Sequence, residues 1–167
     1  MLLIALLIVP VLAGVFSFLS RSPQAWERWN LLAFLALPLL ALKLGADVLA
    51  HGTVTAMGGS LRADALSALV VGLTTFVALA CAIYAVGYFR HDLAAGRITE
   101  RQLRRYYVLT PLFVAVMLLV PLADNLGVMW VATEGTTLAS VLLVTFYNQK
   151  TSFEAGWKYI MIGSVGI

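Results

Sequence analysis

ALSALVVGLTTFVALACAIYAVGYF, residues 65–89, runs for twenty-five positions without a charged side chain. A hydrocarbon core of about 30 Å takes roughly 20 apolar residues of helix to cross. The stretch therefore reads as a membrane span. The rest of the chain has the same character: 62% of its 167 residues are hydrophobic and 11% are charged, against 45–50% apolar and about 25% charged in soluble domains. An ordinary soluble globule is excluded. The fold class that follows is all-α, a polytopic transmembrane bundle of about six helices within one membrane domain, 1–167. The spans are placed at about 1–19, 31–50, 65–89, 107–123, 126–147 and 152–167.

Upstream of the 65–89 run, residues 51–64, HGTVTAMGGSLRAD, combine short β-prone pieces with a Gly58-Gly59 turn signal, which predicts a small hairpin. Residues 20–30, SRSPQAWERWN, hold two arginines and two tryptophans and read as a membrane–water interface loop. The first span, 1–19, lacks both a positive n-region and a small-residue cleavage site. It is expected to be a retained helix with its N-terminus external.

Downstream, RHDLAAGRITERQLRRYY at 90–107 is the most charged piece of the chain, and Thr99 with Gln102 makes a capping box in it. Pro111 interrupts the start of the fourth span. Asp124-Asn125 leaves so short a turn before the fifth span that these two helices are antiparallel neighbours. Thr151 and Glu154 read as a second capping box, starting a sixth helix near Ser152. Sixteen residues from there to Ile167 give roughly 24 Å, short of a full crossing. No polar stop ends the run, so the expectation is a truncated part of a larger fold.

Basic residues set the orientation. Arg21, Arg28, Arg90, Arg97, Arg101, Arg104, Arg105 and Lys150 follow spans one, three and five, whereas only Arg62 follows spans two and four. An excess of Lys and Arg marks cytoplasmic loops, so the first set is expected inside. The net charge of +3 is explained by these anchors and calls for no nucleic acid. Arg101, Arg104 and Arg105 read as positive-inside anchors before they read as a partner site.

The single cysteine, Cys81, allows no intrachain disulfide and no CxxC. There is no H-x-x-x-H pair and no glycine-rich phosphate loop. The expectation is accordingly no cofactor, no metal site and no active site of the chain's own. Trp26, Trp29, Trp130 and Trp157 fall near span ends, where aromatic belts are the default reading.

Ionisable side chains within spans cost about 2.5–3.5 kcal/mol on insertion scales, so each needs a reason. Glu134 is the sharpest case. It sits near the middle of span five in MWVATEGTTLAS, with no other charge between Asp124 and Lys150. Thr133, Thr136, Thr137 and Ser140 give the same helix a polar stripe on which water and a proton can be held. Burial raises a carboxyl's proton affinity and a nearby cation lowers it, so such a group can load and release protons. The alternative is a structural glutamate bonded across helices. Lys158 lies about 10 Å into helix six and Glu134 about 20 Å from the same side, which argues against a direct salt bridge; snorkelling is the alternative role for Lys158. Lys43 and Asp47, spaced i, i+4, can neutralise each other locally and are weaker candidates.

DALS at 64–67, YAVGYFRHD at 84–92, DNLGVMW at 124–130, TEGTTLAS at 133–140 and EAGWKYI at 154–160 together resemble the antiporter-like, proton-conducting membrane subunits of respiratory complex I and membrane-bound nickel–iron hydrogenases. The hydrogenase-4 component F branch is the nearest in appearance. The resemblance implies that Glu134 matches the buried glutamate of the family's ion path and Lys158 the lysine at the start of helix six. It further implies that a broken helix seven, beyond this chain, carries another essential lysine. Gly135 stands where relatives often carry a bulkier residue, which is expected to leave space or water beside Glu134.

The function implied is proton translocation coupled to electron transfer, as a non-catalytic subunit of a hydrogenase-4, formate hydrogenlyase or NADH-quinone oxidoreductase type of complex. The implied partners are other membrane subunits, the lipid bilayer and protons or sodium ions, in a bacterial or archaeal plasma membrane. The competing readings are a non-conducting structural fragment that completes or anchors such a complex, a cation/proton antiporter of the Mrp type, and a bicarbonate-uptake subunit. A self-contained membrane enzyme lacks any nucleophile, metal or cofactor constellation.

Overall fold

A computed structural model describes residues 1–147 and 150–166. Among these described residues six helices carry the fold: α1 (Leu2–Leu19), α2 (Pro23–His51), α3 (Ala65–Ala94), α4 (Glu100–Leu122), α5 (Leu126–Val144) and α6 (Lys150–Gly166). Helices are the natural choice for such a chain, because each satisfies its own backbone polar groups where no water is at hand. Helices α1 to α5 are long and apolar enough to cross a membrane by length and composition. The polytopic all-α bundle expected from the sequence is the fold observed.

The ends of the helices follow local chemistry. Ser22 caps α2, its hydroxyl accepting from the Ala25 amide, and Pro23 occupies the first turn, where its missing N–H costs nothing. Helix α2 thus starts eight residues before the expected span, and only residues 20–22 remain as the link. The interface-loop reading of 20–30 is corrected accordingly. Asp64 caps α3 and Asn125 caps α5. At α4 the capping box is complete: Thr99 Oγ1 accepts from the Gln102 amide, while Gln102 Oε1 accepts from the Thr99 amide. That box sets the start of α4 at Glu100, seven residues before the span proper.

Helix α5 ends at Val144 and a 3-10 turn covers Thr145–Tyr147. Helix α6 is already helical at Lys150, which moves Thr151 inside it. The Glu154 carboxylate bonds Lys158 Nζ at 2.6 Å, and the capping box expected of Thr151 with Glu154 falls on a side chain outside the described residues. The side chains of Thr151 and Ser152 and the whole of Ile167 lie outside the described residues.

Between α2 and α3, β1 (Val54–Ala56) pairs antiparallel with β2 (Leu61–Ala63), Thr55 opposite Arg62. Gly58 and Gly59 take positive φ in the turn, where a Cβ is unfavourable. Two strands alone are marginal, but this hairpin is anchored. Leu61 and Ala63 are buried, Leu61 bridges to Ala123, and the Asp124 amide donates to the Ser60 carbonyl. The hairpin and the α4–α5 turn therefore share one end of the bundle. The α1–α2 link, the α3–α4 link and the turn after α5 share the other: Arg104 donates to the Phe18 carbonyl and Gln102 Nε2 to that of Phe146. The eight basic residues thus collect at one end, and Arg62 stands at the opposite one.

The core joins Leu3 and Leu6 of α1, Phe34, Leu37 and Leu44 of α2, Val71 of α3, and Leu118 and Leu122 of α4. A second cluster near the arginine-rich end holds Trp26, Phe89, Leu103 and Tyr107. Trp26 is thus a core residue, with Nε1 donating to the Ser20 carbonyl, and not the belt residue expected. Trp29, Trp130 and Trp157 remain exposed. Large apolar side chains such as Leu42, Leu69, Leu73 and Phe76 face outward, as suits a lipid-facing surface.

Candidate functional site

Helix α5 begins at the Asn125 cap, whose Oδ1 accepts from the Gly127 and Val128 amides. From Leu126, the first helical residue, Glu134 lies eight residues on, about 12 Å along the axis, with ten more to Val144. Its side chain is half-buried, and among the described residues no hydrogen bond or ion pair holds it. A carboxyl group at this depth is costly unless something outside these contacts compensates it.

The hydroxyls around Glu134 are engaged with the backbone of their own helix. Thr133 donates to the Met129 carbonyl at 2.9 Å, Thr136 and Thr137 to Thr133, and Ser140 to Thr137 at 2.8 Å. Each proton is thereby used, whereas the oxygen lone pairs stay open to a further donor. Thr133, Thr136 and Ser140 line a cleft of about 620 Å³ between α3, the end of α4 and α5, with Asp64 and Ser67 at one end and Tyr159 of α6 on its wall. It is a place where water can meet hydroxyl oxygens. Glu134 is on the neighbouring side of α5, one residue from the Thr133 stripe and three from Thr137.

Two glycines set how closely the neighbouring helices approach. A Cβ on Gly163 of α6 would meet Thr137 Cγ2 at 3.0 Å, so α6 passes tightly over Thr137. A Cβ on Gly135 would stand 2.8 Å from Val116 Cγ1 of α4. The space expected beside Glu134 on account of Gly135 is therefore taken by Val116, and that expectation is corrected.

Lys158 is exposed and its ammonium pairs with Glu154 on the same helix, one turn earlier. The structure does not bring it to Glu134. Lys43 is exposed on α2, Asp47 is half-buried, and no ion pair joins them; the Asp47 carbonyl instead contacts the His51 ring. The local neutralisation expected of that pair is absent. Among the described residues no three His, Cys, Asp or Glu side chains converge as metal ligands.

Sequence reasoning missed a polar knot between α1, α2, α3 and α4. Glu27 is 5% exposed and accepts three hydrogen bonds from Arg90, the shortest at 2.6 Å. One turn on, Asn30 Nδ2 lies within 3.0 Å of the Ser17 hydroxyl and the Trp26 and Tyr107 carbonyls. The available signal was the helical spacing of Trp26, Asn30, Ala33 and Leu37, all buried on one face of α2.

Fold and site together define a multi-pass helical membrane protein with an ionisable group in the middle of its fifth helix. Residues 54–97 match the family described as NADH-Ubiquinone oxidoreductase (complex I), chain 5 N-terminus. The chain is 34% identical over 110 residues to a hydrogenase-4 component F homolog of Methylacidiphilum infernorum, covering 66% of this chain and 23% of that protein. It is 39% identical over 95 residues to F420H2 dehydrogenase subunit L of Methanosarcina mazei, covering 57% and 13%. To NADH-quinone oxidoreductase subunit L of Escherichia coli it is 30% identical over 185 residues, 98% of this chain and 28% of that one. A chain of the membrane-bound sulfane sulfur reductase, an archaeal respiratory membrane complex, has the same fold, with a TM-score of 0.75 at 17% identity over 99% of this chain and 34% of that chain. These matches bear out the resemblance read from the sequence. The chain spans about a quarter or less of the length of the curated relatives cited.

Proposed function

We propose that this chain forms part of an antiporter-like, proton-translocating membrane subunit of a redox-driven complex, in the plasma membrane of a bacterium or archaeon. Its partners are other membrane subunits of that complex. The loops after α1, α3 and α5 face the cytoplasm, as the basic residues in and beside them favour. The observation that supports the reading best is Glu134: a half-buried carboxyl near the middle of a spanning helix, unpaired among the described residues, beside a hydroxyl-bearing cleft. The relatives' names add weight, since each cited protein belongs to a hydrogenase, dehydrogenase or oxidoreductase assembly.

In this reading Glu134 loads and releases the proton, and the hydroxyl oxygens of α5, Thr137 among them, hold the water that carries it. Lys158 supplies a positive charge on α6, and Lys43 with Asp47 is a secondary polar point on α2. A tagged chain solubilised from its own membranes in mild detergent tests the setting. The expected result is co-migration on a native gel with subunits that carry redox centres. A chain that migrates apart from any such subunit, in membranes that still hold the complex, contradicts it.

A further inference from the structure

Arg101, Arg104 and Arg105 occupy one face of the first turns of α4, at i, i+3 and i+4 spacing, and none of them has an acidic partner among the described residues. They line one end of a cleft of about 700 Å³ whose remaining wall is largely apolar, built by Phe18 of α1, Val108 and Leu109 of α4, Leu142 of α5 and Phe146, with Thr145 also on it. Arg104 is fixed in place there. Its guanidinium donates to the Phe18 carbonyl and lies over the Phe18 ring, 5.1 Å from the centroid, while its Nε is buried without a partner. Orientation alone asks for positive charge in a loop, but not for three guanidiniums on one helix face above an apolar groove.

We propose that this cleft binds an anionic glycerophospholipid, with its phosphodiester at the three guanidiniums and one acyl chain along Val108, Leu109 and Leu142. Guanidinium is suited to phosphate because its parallel N–H groups match two oxygens at once. Basic pockets between spanning helices on the arginine-rich side are places where anionic headgroups lodge. The geometry has the right polarity along the helix: eight residues from Arg101 to Leu109 carry the groove about 12 Å from the charged rim toward the bilayer interior. An acyl chain fills the apolar wall, which an inorganic anion would leave exposed. The complementary charge selects an acidic headgroup over a zwitterionic one.

The test uses the whole chain, purified in mild detergent, offered equal amounts of phosphatidylglycerol and phosphatidylcholine with identical acyl chains, and read by native mass spectrometry. The wild type is expected to retain phosphatidylglycerol in preference. Arg101→Gln and Arg105→Gln should each lower that occupancy roughly fivefold, the worth of one surface-facing basic residue against an anionic lipid. Leu109→Trp should lower it with the charge intact, and Arg62→Gln at the opposite end should leave it at the wild-type level. Equal retention of the two lipids by the wild type overturns the proposal without recourse to any variant, and leaves the arginines to an acidic protein partner. Displacement of the lipid by millimolar inorganic phosphate alone also overturns it, since the site would then be one for a free anion.

Discussion

Arg90 reaches back sixty-three residues to Glu27 and places three hydrogen bonds on its carboxylate, joining the arginine-rich ends of α2 and α3. The two partners differ in exposure: the Glu27 side chain is 6% exposed and that of Arg90 65%. Removing either partner is therefore not equivalent. Arg90→Ala strands a buried carboxylate, the costly kind of loss, whereas Glu27→Gln leaves a guanidinium that water can solvate. Thermal unfolding in detergent should show a larger drop in melting temperature for Arg90→Ala than for Glu27→Gln. The reverse order would contradict the buried-carboxylate account.

The distribution of arginines predicts sidedness. With Cys81 replaced by Ser, single cysteines at Ser60 in the hairpin and at Ala95 in the α3–α4 link, both exposed positions, can be challenged with a membrane-impermeant maleimide on intact cells. Label is expected on Ser60→Cys and withheld from Ala95→Cys until the cells are opened. The opposite pattern would invert the topology.

Helix α5 is seated on α4 through Gly135. A methyl added there would meet Val116 Cγ1 at 2.8 Å, closer than carbon atoms approach, so Gly135→Ala should destabilise by about 1–3 kcal/mol, as overpacking does. Val116→Ala in the same chain makes room. The double variant should recover at least about 0.5 kcal/mol relative to the sum of the two singles. Strict additivity of the two changes, measured by reversible unfolding in detergent, would mean that the helices do not touch there.

Asp64 holds the first turn of α3 by accepting the Ser67 amide at 2.9 Å. Hydrogen bonds from the Ser67 backbone and hydroxyl keep its carboxyl below the usual carboxylate range. A carboxyl whose pKa is lower in the folded chain stabilises it above the unfolded value and loses that contribution as the pH falls through the folded one. Hydrogen exchange at the first α3 amides should accelerate, after correction for intrinsic rates, as the pH drops below about 4. Asp64→Asn should abolish that change while retaining much of the cap.

Much of the fold was legible because the signals are local. The uncharged 65–89 run, the Thr99-Gln102 box, the Gly58-Gly59 turn and the Asp124-Asn125 link each specify structure from neighbours in sequence. The start of α2 was misread because Trp26, Glu27 and Asn30 look solvated until Arg90 and Tyr107 arrive from α3 and α4 to pair with them. Their burial is decided by tertiary contacts that no local window contains. At the site, the depth of Glu134 could be counted from the sequence, but the pairing of Lys158 with Glu154 and the filling of the Gly135 gap by Val116 depend on how the helices pack.

The proton-carrying role proposed for Glu134 is tested by measuring proton translocation per turnover in assembled complexes bearing Glu134→Gln. Glutamine keeps the shape and can still bond across helices, but it cannot titrate, so assembly and electron transfer should persist while pumping falls. A purely structural glutamate would leave that exchange nearly silent, since a neutral amide is cheaper to bury than a charge. Loss of pumping with retained turnover is the predicted result; wild-type pumping in Glu134→Gln complexes would contradict it.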